Sequence, residues 1–389
     1  MRGRAKIILA VATAAVAIGV IVLITKEDEP VETPKTEYFG ANATRLRHYA
    51  ETGQLETLNA LAASMADQQL GWARVVVDQA ADQRVFGPPD WAILDPIVSA
   101  LARQGIRMDA VFVGTAPWAA DPADAAACDS RAHPGNIAAW AGFVGAAVAR
   151  YGRDGTFWDG HPDVPRTPVE VWEIGNEPNL AIFWCPASDP EGYAEVFRAA
   201  REAALSEDPQ ARIVVGGLAP GFLPAPAGDT TVPDFLKRMV EAEPALAEEV
   251  SAVGIHPYAP SPAGVRAATA TFRDAVRAAG LGETPMIANE VGWYTRGRLG
   301  PQRVSESDRA ERLPAAAVGL YASDCGVEGF GVHAWVTEEI NGADPEHWYG
   351  VVDPVTAVPH PSARAYGDRI EAVISGNGRP SVAVPSLCD

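Results

Sequence analysis

Hydrophobic and polar positions follow two alternating patterns along the chain. Short runs rich in β-branched residues, typical of buried strands, are separated by longer stretches whose apolar residues recur at helical spacing. From Glu37 onward the pattern predicts eight strands, at residues 37–42, 72–78, 108–114, 169–175, 212–217, 252–258, 285–291 and 329–335. Strands that alternate strictly with helices are expected to pair in parallel.

The stretches between the strands carry helix start and stop signals. Ser261 and Pro262 are predicted to be the N-cap and the first residue of a helix that Gly280 ends. Gly71 is expected to end the first helix, and residues 362–375 supply a helix after the last strand. The apolar face of that first helix consists of Leu55, Leu58, Leu61 and Met65.

Eight strand–helix pairs predict a closed (β/α)8 barrel, the TIM barrel of the α/β class, over residues 37–376. An open, doubly wound sheet is the alternative. Such a sheet usually begins with a G-x-G-x-x-G phosphate loop, which this sequence lacks. A barrel carries its functional residues at the C-terminal ends of its strands, so those positions are the ones to inspect.

The N-terminus is predicted to be a signal anchor, residues 1–25, followed by a linker at 26–36. Basic residues precede an apolar run at 7–24, which is near the lower limit of about 17 to 25 residues for a spanning helix. The run is longer than the apolar region of about 7 to 15 residues in a signal peptide, and no A-x-A cleavage site follows it. A cleaved signal peptide remains the alternative. The basic flank predicts that the barrel and a tail at 377–389 lie outside the cytoplasm.

The composition limits the classes of molecule that the protein is expected to bind. Of the 389 residues, 48% are hydrophobic and 21% are charged, which is typical of a folded protein. A formal charge of −19 disfavours nucleic acids and anionic membrane surfaces, so membrane contact is expected through the N-terminal segment only. The four cysteines show no C-x-x-C spacing and the seven histidines form no H-x-x-x-H pair, so neither a metal site nor a cofactor is predicted.

Cysteine pairs that oxidise are expected in an exported protein. We predict a disulfide between Cys128 and Cys185, because they lie in loops after the third and fourth strands, which are neighbours in a barrel. The second predicted disulfide joins Cys325 to Cys388 and would hold the C-terminal tail near the eighth strand.

Polar and aromatic residues gather at the predicted C-terminal ends of the strands. They are Arg74 and Asp78, Trp118, Asn176 and Glu177, His256 and Tyr258, Asn289, Glu290 and Trp293, and Trp335. Two carboxyl groups on one rim suit glycoside hydrolysis, in which one protonates the departing oxygen and the other attacks the anomeric carbon or activates water. Tryptophan faces supply flat apolar surfaces for sugar rings.

The stretches "WEIGNEPNL" (172–180) and "IANEVGW" (287–293) resemble the motifs of clan A, the large clan of retaining (β/α)8 glycoside hydrolases. Among its members the chain is most similar to the family of β-xylosidases and α-L-iduronidases, glycoside hydrolase family thirty-nine. The segments "GIHPYA" (254–259) and "HWYGVVDP" (347–354) support this likeness, which covers residues 37–375. One departure is Gly175, where many members of that family carry tryptophan.

The resemblance implies roles for individual residues. Glu177 would be the acid/base, Glu290 the nucleophile, and Asn176 the partner of the sugar 2-hydroxyl. Tyr258 and Arg74 would hold the nucleophile. The remaining substrate-binding residues would be His256 beside the nucleophile, Trp335 as the floor of the subsite before the cleaved bond, Trp118 and Trp293.

Structural interpretations stand beside these roles. Arg74 could pair with a buried acid inside the barrel, and Glu173 is expected to make a structural hydrogen bond. Glu338 and Glu339 are expected to be solvated loop charges. At the level of the whole protein, a carbohydrate-binding pseudoenzyme and a transglycosylase of cell-envelope glycan assembly are the alternatives to a glycosidase. The identity of the sugar depends on the loops.

Overall fold

The computed structural model describes residues 35–220, 225–376 and 387–388. The predicted anchor, nearly all of the linker and most of the tail lie outside these residues. In the described part, no helix is both long enough and apolar enough to cross a bilayer. The described residues from Thr36 onward belong to one compact unit.

Eight parallel strands form a closed barrel in chain order, and β1 pairs with β8 to complete the ring. The predicted (β/α)8 barrel is thereby confirmed. The strands are β1 (Phe39–Asn42), β2 (Trp72–Asp78), β3 (Arg107–Val113), β4 (Val171–Asn176), β5 (Arg212–Leu218), β6 (Ala252–Ile255), β7 (Met286–Val291) and β8 (Val327–Val332).

Helices surround the barrel. In the described part these are α1 (Leu46–Glu51), α2 (Leu55–Asp67), α3 (Gln79–Asp82), α4 (Leu94–Arg103), α5 (Pro122–Cys128), α6 (Ile137–Tyr151), α7 (Thr156–Gly160), α8 (Pro190–Glu207), α9 (Val232–Ala242), α10 (Leu246–Glu249), α11 (Pro262–Ala278), α12 (Glu306–Tyr321) and α13 (Pro361–Ile374). Short 3-10 segments lie at Lys35–Tyr38, Asp129–Arg131 and Pro345–Trp348.

Local signals set most helix ends. The hydroxyl of Ser261 accepts a hydrogen bond from a backbone N–H in the first turn of α11, and Gly280 follows that helix with a φ of +86°, as predicted. Helix α2 ends at Asp67 instead of continuing to Gly71. The reason is that Gln69 adopts a φ of +61°, which turns the chain out of the helix before the glycine.

The two ends of the barrel differ in polarity. At the N-terminal end, the interior is filled by an apolar cluster of Trp72, Val171, Val214, Ala252 and Ile287. A Cβ atom on Gly40 would lie 2.1 Å from the ring of Trp72, so glycine makes room for the indole. Arg74 lies two residues further along the same strand face and begins the polar end of the interior. The polar groups around Arg74 therefore lie toward the C-terminal end of the barrel.

Both predicted disulfides are present. Cys128 pairs with Cys185 across the loops after β3 and β4, with 5.8 Å between the Cα atoms. Cys325, just before β8, pairs with Cys388, with 5.0 Å between the Cα atoms. The first bond ties two loops of the functional rim together.

Candidate active site

A cavity of about 660 Å³ opens at the C-terminal end of the barrel. Its volume lies in the range of roughly 300 to 1,000 Å³ that is usual for binding sites of organic ligands. The strands and their following loops contribute the lining, which includes Asn42, Asp78, Asn176, Glu177, Glu290 and Tyr349.

Glu290, on the buried strand β7, is the most heavily hydrogen-bonded carboxylate of the cavity. Its Oε1 accepts from Asn42 Nδ2 at 2.7 Å and from Arg74 Nη1 at 2.8 Å, and its Oε2 accepts from the Tyr258 hydroxyl at 2.8 Å. Burial alone would raise the pKa of Glu290, but the basic side chains of His256, His333 and Arg74 and the tyrosine hydroxyl hold this pKa below its usual range. Glu290 is therefore kept ionised.

Tyr258 and Arg74 are the fixed donors to this carboxylate. Burial, with Glu290 next to it, raises the pKa of Tyr258 well above its ordinary value, so the hydroxyl keeps its proton and donates. Arg74 binds Glu173 through two hydrogen bonds of 2.6 and 2.8 Å and also donates to Asn176 Oδ1 at 2.9 Å. Both interpretations of Arg74 hold, since it pairs with a buried acid and with Glu290.

Glu173 has the structural role predicted for it. Besides Arg74, it accepts hydrogen bonds from the backbone N–H of Gly217 at 2.6 Å and from Asn289 Nδ2 at 2.9 Å. With these donors its charge is balanced inside the barrel, and the guanidinium of Arg74 is fixed in orientation.

The turn after β4 presents Glu177. Gly175 has a φ of +80° and Glu177 a φ of +44°, and the Glu177 N–H donates to the carbonyl of Gly217 at 2.9 Å. The left-handed conformation of Gly175 favours glycine, which is a physical reason for its presence where related motifs carry tryptophan. Left-handed backbone is uncommon for a glutamate and is concentrated at functional sites.

His256 lies between the two carboxylates and is fully buried. Its Nδ1 is 2.8 Å from Glu177 Oε1 and 3.6 Å from Glu290 Oε2. One oxygen of each carboxylate and an imidazole nitrogen all lie within 4.8 Å of one another. A Cβ on Gly217 would be only 2.1 Å from His256 Nε2, so the imidazole packs directly on that glycine.

Glu177, His256 and Glu290 could each offer one atom to a metal ion. Two features disfavour such an ion. The guanidinium of Arg74 places a permanent positive charge 2.8 Å from Glu290, and the oxygens of this carboxylate already accept hydrogen bonds. The arrangement suits two carboxyl groups that act on an organic substrate.

His333, which follows β8, was not predicted from the sequence. Its Nδ1 is 3.4 Å from Glu290 Oε2 and its Nε2 is 3.7 Å from Glu346 Oε2. Burial alone would lower the pKa of His333, but these two carboxylates raise it above its ordinary value. The available signal was position, because His333 lies just past a strand end, and Asn42, which sequence reasoning also missed, lies at one.

The three tryptophans predicted to bind substrate do not line the cavity. Trp335 is fully buried and its indole donates to Ser64 in α2 at 3.0 Å. Trp293 is also buried in the core, and the half-buried Trp118 donates to the carbonyl of Gln83 at 2.9 Å. This corrects their expected placement: the loops after the strands turn the three indoles toward helices and loops. His256 is likewise absent from the lining and is buried beside Glu177 and Glu290.

Other aromatic side chains face the cavity instead. They include Phe183, Trp184, Tyr258, Tyr349 and Trp140. Phe183 is 42% exposed at the mouth, in the loop that follows β4. An exposed ring at a cavity mouth offers the apolar face that the tryptophans were expected to supply.

Glu338 and Glu339, expected to be solvated, are both paired. Glu338 Oε2 lies 3.0 Å from His347 Nδ1, and Glu338 also binds Arg45. Glu339 Oε1 lies 2.9 Å from His360 Nε2. These pairs hold the long segment after β8 in place.

Neither a protein-family model nor a curated protein sequence matches this chain. The fold is similar to that of a family 39 glycoside hydrolase from Bacteroides cellulosilyticus, with a TM-score of 0.62 and 16% identity over 86% of this chain. It is also similar to a family 5 subfamily 18 glycoside hydrolase from Streptomyces cattleya, solved with GlcNAc (TM-score 0.64, 16% identity, 91% of this chain and 82% of that one).

A monomeric β-xylosidase from Caulobacter crescentus is a third similar structure, with a TM-score of 0.58 and 17% identity over 87% of this chain and 69% of that enzyme. The chain spans 64% of the Bacteroides enzyme's length. At these identities the likeness establishes a shared barrel fold. The structures that this barrel resembles are glycoside hydrolases of several families.

Proposed function

We propose that this protein is a retaining glycoside hydrolase in which Glu290 is the nucleophile and Glu177 the acid/base. The observation that carries the proposal is the approach of their carboxylate oxygens to within 4.8 Å of each other. Carboxyl groups about 5 to 5.5 Å apart are typical of retaining enzymes, whereas inverting enzymes separate them by about 6.5 to 9.5 Å to admit a water molecule.

The environments of the two carboxyl groups support this division of roles. Glu290 is held ionised by Asn42, Arg74 and Tyr258, as a nucleophile requires. Glu177 lacks the guanidinium contact that Glu290 has and meets His256 instead, which is proposed to orient it. With Glu290 held ionised, Glu177 is the carboxyl group proposed to carry the proton.

The proposed reaction has two displacements. Glu290 attacks the anomeric carbon, the bond to the departing oxygen breaks, and Glu177 transfers its proton to that oxygen. Water then attacks the same carbon and gives a proton to Glu177, and the bond to Glu290 breaks. Both groups return to their starting states.

Asn176 is proposed to bind the sugar 2-hydroxyl. Because its Oδ1 accepts from Arg74 at 2.9 Å, the amide is oriented, and its Nδ2 makes no hydrogen bond within the described residues. A fixed donor of this kind strengthens its contact as the transition state forms. The substrate is proposed to be an oligosaccharide or a polysaccharide, since the cavity combines these polar groups with aromatic side chains, one of which, Phe183, is exposed at the mouth.

Variants of the two glutamates test the assignment. Glu290→Ala should lose nearly all turnover of aryl glycosides, and azide should restore part of it with a product of inverted configuration. Glu177→Ala should slow substrates with poor leaving groups most, because only those depend on protonation at departure. Glu328→Ala is the matched control, since Glu328 pairs with Arg212 at the opposite end of the barrel.

Wild-type rates in both alanine variants would contradict the assignment, as would azide products of retained configuration. An activated fluorosugar should label Glu290, and a label on any other residue would also overturn it.

The protein is also proposed to act outside the cytoplasm, tethered by residues 1–25. Two disulfides in the described residues support an oxidising compartment. The basic flank of the apolar run supports this orientation.

A further inference from the structure

His333 stands between two carboxylates that come from different parts of the chain. Its Nδ1 faces Glu290 Oε2 at 3.4 Å and its Nε2 faces Glu346 Oε2 at 3.7 Å. Nδ1 is buried without a hydrogen-bond partner among the described residues. Aromatic edges fix the ring plane, because the centroids of Tyr258 and Tyr349 lie 5.9 and 4.9 Å from that of the imidazole, at interplanar angles of 88° and 67°.

Neutral imidazole fits this position poorly. A neutral histidine carries one N–H, so it can donate to one neighbour only and presents a lone pair to the other. With a carboxylate on each side, either tautomer sets that lone pair against a negative oxygen. Imidazolium donates from both nitrogens and matches both neighbours.

The other charged groups near the ring do not reverse this balance. The titratable and charged groups that face His333 are Glu290 from β7, Glu346 and Tyr349 after β8, Tyr258 after β6, and Arg74 from β2. His256 Nδ1 lies 3.6 Å from the same oxygen of Glu290, Oε2. Arg74 opposes protonation, but its guanidinium is already bound to Glu173 and Glu290. Burial and the two carboxylates act on the same ring, and the carboxylates outweigh burial.

We propose that His333 is a positioning residue that is held as imidazolium by Glu346 and keeps Glu290 oriented for attack. The proposal rests on the role proposed above for Glu290. Oε1 of that carboxylate accepts two hydrogen bonds, from Asn42 and Arg74, whereas Oε2 accepts one, from Tyr258, so Oε2 is the oxygen more open to react. His333 and Tyr258 flank this Oε2 and limit its rotation.

Imidazole titrations by NMR test the protonation of His333 directly. The chain has seven histidines, so the His333 signal is assigned as the one that His333→Gln removes. We expect the pKa of His333 to lie above the ordinary value of about 6.5. Glu346→Gln should lower this pKa by about 0.5 to 1 unit. The expected change is small for a neighbouring charge because Glu346 is exposed to solvent.

Glu339→Gln is the matched control. Glu339 lies in the same segment and pairs with a different histidine, His360, so this variant should leave the His333 titration unchanged. Glu290→Gln should lower the pKa of His333 as Glu346→Gln does. An ordinary pKa for His333, or equal titrations in the Glu346→Gln and Glu339→Gln proteins, would overturn the proposal.

Turnover of an aryl glycoside with an activated leaving group tests the consequence for Glu290. Such a substrate departs without protonation, so the alkaline limb of its kcat/KM no longer depends on Glu177. The midpoint of this limb should equal the pKa of His333 measured by NMR, and it should move to lower pH in Glu346→Gln. His333→Gln should abolish the limb and lower kcat/KM by about tenfold, because the ionic contact between His333 Nδ1 and Glu290 Oε2 is lost.

A limb that stays in place in Glu346→Gln would contradict the positioning role even if the enzyme turns over normally. Absence of any glycosidase activity in the wild-type protein would sink the proposed function, while the NMR titrations would still decide the charge of His333.

Discussion

At the scale of single residues, the site depends on backbone positions that admit no side chain. Gly217 is the clearest case, since its N–H donates to Glu173, its carbonyl accepts from Glu177, and His256 packs against its Cα. One glycine thus contacts Glu173, Glu177 and His256. No side-chain pattern in the sequence marks this position.

Gly217→Ala should therefore reduce turnover sharply while the barrel still folds. The added methyl would lie 2.1 Å from His256 Nε2, so the imidazole must move and Glu177 loses its partner. Gly142→Ala is the control, because a Cβ there meets nothing within 4 Å and alanine favours the surrounding helix α6. Kinetics and circular dichroism of both variants decide the matter; equal activity would contradict the role given to Gly217.

The limits of sequence reasoning also show at this scale. The placement of Glu177 and Glu290 on one rim could be predicted because a strand end in a barrel fixes the rim on which a side chain lies. Trp335 was misplaced because it lies three residues beyond β8, where the path of the loop sets the direction of the side chain. His333 was missed because it was counted within the predicted strand 329–335.

At the scale of elements, the strands were predictable because a fully buried parallel strand reads as a continuous apolar run. The positions of the strand ends were less predictable. Strands β6 and β8 stop at Ile255 and Val332, before the predicted ends at 258 and 335. Residues past these ends, such as His256 and Trp335, are still buried in the rim. An apolar sequence pattern indicates which residues are buried, but it does not show which of them also pair with a neighbouring strand.

The two disulfides should differ in their effect on function. Removing Cys128–Cys185 by alanine substitutions should lower stability by about 2 to 4 kcal/mol and raise KM, because the bond joins two loops that line the cavity. Removing Cys325–Cys388 should lower stability by a comparable amount and leave KM unchanged. Cys325 lies just before the start of β8, at the end of the barrel opposite the cavity. Denaturant unfolding and steady-state kinetics of the two double variants provide the comparison. Equal KM values in both would refute the assignment of the first pair to substrate binding.

At the scale of the whole molecule, the barrel should fold without its N-terminal segment. The ring is complete from Phe39 onward, and the first strand is already paired on both sides. A chain that begins at Thr36 should stay in solution with unchanged kcat/KM, whereas the full chain should sediment with lipid vesicles. Loss of folding in the shortened chain would show that residues 1–35 belong to the domain.

The polar network inside the barrel joins strands that are far apart in the chain. Asn42 is on β1, Arg74 on β2, Glu173 on β4 and Glu290 on β7, and each is hydrogen-bonded to at least one of the others. In a partly formed barrel, the charged groups of this network would remain solvated and would not lie close enough to pair. Activity is therefore a measure of ring closure: during refolding, helical signal can return from partly assembled chains, but turnover can return only from molecules whose last strand has docked against the first.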